Sequence, residues 1–209
     1  IQPMLAVSVP EPPLRGEWLH EVKWDGVRAV CFLNQGQMRI AGRKGASIER
    51  QYPELGVLPR HVNAESAILD GEIAAVDDQG RPSFERLQPR IMARDPNAAA
   101  QLSRSRPVIY FAFDLLYWNG FDLRGSPLKE RRRLLREVLH PGTAVRLSES
   151  VDVDPRLLLE SVRAQGLEGV VAKAAAGPCQ GRRAAHRGRG KGARARGVFP
   201  RRPPPQRGC

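Results

Sequence analysis

Apolar positions along the first 173 residues recur in short alternating or continuous runs, broken by turn chemistry, with a few stretches of helical period. Residues 18–23 read as a strand, Asp25-Gly26 as a turn and residues 27–33 as the returning strand. Asn34-Gln35-Gly36-Gln37 supplies a second turn into a strand over 38–41, so the three segments predict an antiparallel meander. Residues 47–58 fit a short helix broken at Pro53, and 67–76 a strand closed by Asp77-Asp78-Gln79-Gly80. Ser83 is placed to cap a helix running to Met92. The polar, Ala-rich stretch 94–106 predicts a loop or a weak helix. Residues 108–117 are strongly apolar, with β-branched and aromatic side chains, and predict a buried strand ending at the Asn119-Gly120 turn.

Two amphipathic helices follow. Residues 127–139 carry Leu128, Leu134, Leu135, Val138 and Leu139 among charged neighbours, and 154–164 opens with Asp154 as cap and Pro155 in first position. Residues 168–173 complete the pattern as a strand. Hairpins interspersed with occasional helices predict an α+β fold, with antiparallel β-sheets flanked by helices, rather than a doubly wound sheet. No internal repeat is visible.

The 209 residues suffice for one large domain or two small ones, and 41% hydrophobic with 27% charged residues is a soluble, globular composition. No apolar run approaches the roughly 18 residues of a membrane span. The opening Ile1-Gln2-Pro3-Met4 has no basic start followed by an apolar stretch and no initiator Met, so the reading is no signal peptide and a piece of something longer. Cys31, Cys179 and Cys209 are odd in number and widely spaced, which favours a reducing cytoplasm over a disulfide framework and shows no metal spacing.

Charge divides the chain. Residues 174–209 hold nine Arg, one Lys and no acid, so they carry +10 of the net +12. The first 173 residues, with 24 basic and 22 acidic side chains, carry only +2. Ala, Gly, Pro and Arg make up 28 of the last 36 residues, whose large apolar residues are Val198 and Phe199 alone. Such a segment cannot bury enough surface to offset chain entropy and is expected to be a disordered tail. It reads either as an arm for nucleic acid or as an out-of-frame end of a GC-rich gene.

Chemistry concentrates in Glu21-Val22-Lys23-Trp24-Asp25-Gly26-Val27-Arg28. A lysine at a strand end beside a glycine turn can project into a cleft. With an ordinary pKa of about 10.4, only about one lysine in a thousand is a neutral nucleophile near pH 7.4. Desolvation or a nearby cation such as Arg28 raises that fraction. A surface hairpin with a solvated Lys and Arg fits the same residues. Further along, Asp70 and Glu72 share one face of an otherwise apolar strand, Asp114 sits inside a buried one, and Glu168 and Lys173 bracket three apolar residues and a glycine. Buried charges are costly unless paired or bound to a metal, so several together suggest a site for a charged ligand and a divalent cation.

Taken in order, Lys23-Trp24-Asp25-Gly26-Val27-Arg28, Gly42-Arg43-Lys44-Gly45, Asp70-Gly71-Glu72, Phe113-Asp114 and Glu168-Gly169-Val170-Val171-Ala172-Lys173 resemble the successive motifs of the nucleotidyltransferase (adenylation) domain of ATP-dependent DNA ligases. Pro3-Met4-Leu5-Ala6 and the Phe-Asp-Leu-Leu stretch are most similar to the ligase module of bacterial end-joining enzymes. The resemblance covers roughly residues 2–173 and implies a DNA-ligase/ATP-grasp-like fold. It implies Lys23 as the nucleophile on ATP, forming lysyl-AMP on the way to sealing 5′-phosphate/3′-hydroxyl breaks in DNA repair or recombination. It further implies Glu21 at the adenine, Phe113 stacked on it, Arg28 at the ribose or phosphates, Arg43 on the phosphate side and Glu72 at the ribose. Glu168 would place Mg²⁺ (or Mn²⁺) and Lys173 would lie near the nucleotide. Asp25 and Asp70 read as structural.

The implied partners are nicked or broken double-stranded DNA and, in such enzymes, Ku and polymerase or nuclease modules, with a bacterial cytoplasmic, nucleoid-associated location. The sequence departs from the family after Lys173: residues 174–209 contain no Trp-x-Lys-x-Lys motif and no OB-fold pattern. That departure predicts a slowed first step and poor sealing. RNA ligases and mRNA-capping enzymes share the Lys-x-Asp-Gly chemistry and stand as alternatives, as does a degenerate, non-catalytic DNA-binding module.

Overall fold

The computed structural model describes residues 3–13, 15–179 and 196–198, the last three by their backbone pairing. Two sheets carry the fold. The first contains β1 (Val7–Val9), β2 (Trp18–Val22), β9 (Ser150–Val151), β10 (Val170–Ala174) and β11 (Arg196–Val198), in the order β1-β11-β10-β2-β9. The second runs β4 (Gln37–Gly42), β3 (Val27–Asn34), β5 (Ser66–Ala75), β6 (Val108–Trp118), β7 (Phe121–Asp122), with β8 (Val145–Leu147) parallel to β6. Helices α1 (Phe84–Met92), α2 (Pro96–Ser105), α3 (Leu128–Val138) and α4 (Pro155–Ala164) flank them. The α+β expectation of mainly antiparallel sheets with flanking helices is the fold observed.

Local chemistry explains most elements. Ser83 accepts a hydrogen bond from Arg86 N and opens α1, as its spacing predicts. Asp95 and Asp154 cap α2 and α4, each with Pro in the first turn. The stretch 94–106 is therefore a capped helix, not a loop, because Asp95-Pro96 outweighs its weak apolar period. Asn119 (φ 43°) and Gly120 (φ 94°) take the two left-handed positions of the β6–β7 hairpin. The region 47–58 differs from its reading: it forms two 3-10 segments, Glu49–Gln51 and Pro53–His61, with the break at Tyr52. Pro53 begins the second segment, where its missing N–H costs nothing.

Strands β1, β7, β8, β9 and β11 have two or three residues each and left no periodic signal. Neighbours create them: β8 forms where α3 returns the chain beside β6. The expectation that the ordered pattern stops at Lys173 is corrected in two places. The chain continues through Ala174–Cys179, whose Ala175 and Gly177 carbonyls accept the Lys129 and Leu128 amides of α3. Arg196–Val198 pairs with both β1 and β10. The rest of the predicted tail, with Cys209, lies outside the described residues.

The main core packs Leu55, Leu58, Leu69, Ile73, Tyr110 and Leu135, all fully buried, between the second sheet, α1, α3 and the 3-10 segments. A smaller cluster of Leu159, Val162 and Val170 seats α4 on the first sheet. Each such aliphatic side chain contributes about 1.5–3 kcal/mol relative to an exposed one. No helix of the described residues is long and apolar enough to cross a membrane.

The antiparallel meander expected of residues 18–41 is corrected: β3 pairs with β4 and β5, but β2 pairs with β10 and β9 in the other sheet, because the chain after Val22 passes from one sheet to the next instead of folding back on itself. Residues 23–26 are the crossing from β2 to β3, so Lys23 sits at the seam of the two sheets.

Candidate active site

The seam is a cleft of about 390 Å³. Of the residues singled out in the sequence, Glu21, Lys23, Arg28, Arg43, Glu72, Phe113 and Lys173 all line it. Glu168 joins it through an ion pair with the Lys23 ammonium. The Lys23 amide also donates to the Gly169 carbonyl (2.8 Å), continuing the β2–β10 ladder one residue beyond the strand.

Two glycines make the approach possible. A Cβ on Gly26 would lie 2.3 Å from the Ile73 carbonyl oxygen and 2.9 Å from Glu72 Cγ. Gly26 is thus required for close passage over β5, not for a left-handed backbone as its turn position suggests. A Cβ on Gly71 would lie 2.5 Å from Tyr110 Cζ and 2.7 Å from the Phe111 carbonyl oxygen. Gly71 therefore lies against β6 while Asp70 and Glu72, on the opposite face, line the cleft.

Strict alternation would send Phe113 and Asp114 to opposite faces of β6. Both line the cleft. The register explains it: Asp70 pairs with Asp114 but Gly71 with Ala112, so Phe113 is the extra residue of a β-bulge.

Most of the charges are paired. Asp70 accepts from Arg28 Nε and Nη2, both at 2.7 Å, and the neighbouring carboxylates hold the guanidinium charged against its burial. Arg28 Cζ lies 4.3 Å from the Phe113 ring centroid and Lys173 Nζ 3.9 Å. Lys173 Nζ pairs with Glu21 Oε1 at 2.9 Å. Burial draws the Lys173 ammonium below the ordinary lysine range, partly offset by Glu21. Burial likewise raises Asp114 above the usual carboxylate range despite its two-point pair with Arg131 (2.7 and 2.8 Å).

Two lining groups stand apart. Arg43, exposed at the rim, and Glu72, partly buried, make no hydrogen bond or ion pair among the described residues. Burial pushes Glu72 up to about 7, against the opposing pull of Arg28 and Lys23. The cleft thus holds a cation and an acid free to meet a ligand. Glu168 pairs with Lys23 and Glu72 lines the same cleft, so the site offers oxygen donors of the kind a hard divalent cation takes. Among the described residues no group of three or more His, Cys, Asp or Glu gathers as a metal site. A cation here would draw its remaining ligands from water and phosphate.

Four contributors were not singled out in the sequence: Arg131, Arg132, Ser148 and Trp24. The two arginines left a signal. They lie three and four residues after Leu128 and four and three before Leu135, on the buried face of α3. A charged pair on an apolar stripe marks a buried network. Ser148 left none, because its partners are distant in the chain.

A family model described as the ATP dependent DNA ligase domain matches residues 3–186. The multifunctional non-homologous end joining protein LigD of Pseudomonas aeruginosa is 37% identical over 175 residues, covering 83% of this chain and 20% of that protein. A DNA ligase of Aeropyrum pernix is 34% identical over 185 residues, covering 83% of this chain and 30% of that one. Among solved structures, a mycobacterial DNA ligase D complexed with ATP and MES superposes with a TM-score of 0.72 at 29% identity, over 95% of this chain and 60% of that one. The ligase domain of Mycobacterium tuberculosis LigD gives 0.70 at 30%, over 87% and 55%. The chain spans about a fifth of the length of the LigD relatives from Pseudomonas and Mycobacterium.

Proposed function

The chain belongs to the family of ATP-dependent DNA ligase domains, and from that premise we propose that it forms a covalent lysyl-AMP on Lys23 and passes the AMP to DNA. The observation that carries the reading is Lys23 at the sheet seam, beside Glu168 and inside the cleft that Phe113 lines.

Lys23 Nζ attacks the α-phosphorus of ATP. The N–P bond forms as the bond to pyrophosphate breaks, and the nitrogen gives up a proton. The Lys23 ammonium first passes a proton to Glu168 or to solvent, since an ammonium has no lone pair to offer. Phe113 stacks on the adenine once the base displaces a cation that now lies over its ring, with Glu21 at the edge of the base and Lys173 near it. Arg28, held by Asp70, lies toward the ribose and phosphates, Glu72 meets the ribose, and Arg43 at the rim takes phosphate oxygens. Such transfer depends mainly on positioning and on charge placed where it develops. Glu168, with Glu72 nearby, would hold Mg²⁺ or Mn²⁺, which supplies positive charge to the triphosphate. The AMP then moves to the 5′-phosphate of a nicked or broken duplex, freeing Lys23, and the 3′-hydroxyl displaces AMP to close the strand. The setting is bacterial end joining in the cytoplasm at the nucleoid, with Ku and polymerase or nuclease modules as partners.

Intact-mass measurement before and after ATP and Mg²⁺ tests the first step. A gain of one AMP in the wild type and none in Lys23→Ala supports it. No gain in the wild type, or an equal gain in Lys23→Ala, removes it.

A further inference from the structure

We infer that Ser148, 1% exposed and remote in sequence from every motif, is a positioning residue for Lys23, acting through the two side chains that bracket it. This rests on the reading of Lys23 as nucleophile. Ser148 Oγ donates to Glu21 Oε2 (2.9 Å) and accepts from Trp24 Nε1 (2.9 Å). The direction is forced, because a carboxylate only accepts and an indole only donates. Glu21 is two residues before Lys23 and Trp24 one after, so one hydroxyl fastens both sides of the nucleophile.

The rest of Ser148 is fixed too. Its amide donates to the Ala112 carbonyl on β6 (2.8 Å), and its carbonyl accepts from Arg132. Arg132 also binds Glu21 Oε1 (2.8 Å) and the Phe113 carbonyl (3.0 Å). Trp24 is stacked on Phe111, centroids 3.6 Å apart and planes 14° off parallel. The indole N–H thus locks the one rotation the stack leaves open. The network carries the position of β6 across the seam to the nucleophile.

Losing the hydroxyl leaves Glu21 its Arg132 and Lys173 partners but leaves the Trp24 N–H without its acceptor. The effect falls on the placement of Lys23 and not on nucleotide binding. A small misplacement of a reacting group can cost about 10²-fold in rate.

The test is single-turnover lysyl-AMP formation by the full chain over a range of ATP concentrations, well below each variant's melting temperature. Ser148→Ala should lower the limiting rate by about 10- to 100-fold with the half-saturating ATP concentration unchanged. Ser148→Thr should restore most of it. Trp24→Phe, which keeps the stack and loses the N–H, should match Ser148→Ala, and the double variant should be no slower than the worse single one. A wild-type limiting rate in a folded Ser148→Ala, or independent effects in the double variant, overturns the inference and leaves Lys23 standing as nucleophile. Absence of AMP on Lys23 in the wild type instead overturns the reading of the site, and this inference with it.

Discussion

Asp70 grips Arg28 across two antiparallel strands, Nε to Oδ1 and Nη2 to Oδ2, both at 2.7 Å, and the clamped guanidinium lies over Phe113. The planar fork of arginine suits a carboxylate at two points, so the pair fixes orientation as well as charge. Asp70 is nearly buried, and removing one partner of a buried pair costs about 3–5 kcal/mol. Because Arg28 keeps a quarter of its side chain exposed, the lower end applies. Asp70→Asn is expected to lower the urea midpoint by the equivalent of about 3 kcal/mol and to raise the ATP concentration needed for labelling of Lys23. A variant normal in both respects would show that the clamp does not serve the site.

Glu72 makes stability depend on pH in a defined window. Its native value is raised from 4.5 to about 7, mainly by burial. Between those values the native state binds a proton that the unfolded chain has already lost. Stability is therefore fully present below about 4.5 and falls as pH rises to about 7, then levels off. At pH 8 the folded chain carries a buried charge worth up to about 3 kcal/mol against it, at 1.36 kcal/mol per unit. Glu72→Gln should flatten this slope and be the more stable chain at pH 8, as read by denaturant unfolding at several pH values. A parallel slope in both proteins would assign the pH dependence elsewhere.

Gly26→Ala places a methyl 2.3 Å from a backbone carbonyl on a central strand, where neither partner is a flexible side-chain end. The crossing must shift and carry Lys23 with it. Overpacking of this kind costs about 1–3 kcal/mol, and lysyl-AMP formation should fall more steeply than stability does. Thermal unfolding and labelling rate measured together decide this, and a fully active Gly26→Ala would contradict the close approach.

Much of this was readable from residue patterns. The strands β2, β3 and β4, the central strands β5 and β6, the capped helices α1 and α4 and the charged side chains that gather in the cleft all had local signals. The pairing of β2 did not: it joins β10 and β9 in the other sheet instead of opening a meander with β3. Period-two alternation put Asp70 and Glu72 on one face. Turn chemistry marked the Asn119-Gly120 hairpin, whereas Asp25-Gly26, which reads as a turn, is part of the crossing between the sheets. The short strands had none, because a two- or three-residue strand is created by the edge it pairs with.

What the sequence by itself determined was the set of residues with their order and local geometry, since caps, alternation and turn preferences act over a few positions. The tertiary structure alone decided how they meet. It showed Gly26 to be a matter of steric passage over Ile73, moved Phe113 onto the face of Asp114 through a bulge, and joined Glu21, Trp24, Arg132 and Ser148 into one network. Those relations depend on distances between residues up to 127 positions apart, and no pattern along the chain encodes which distant donor will reach which acceptor until two sheets have packed.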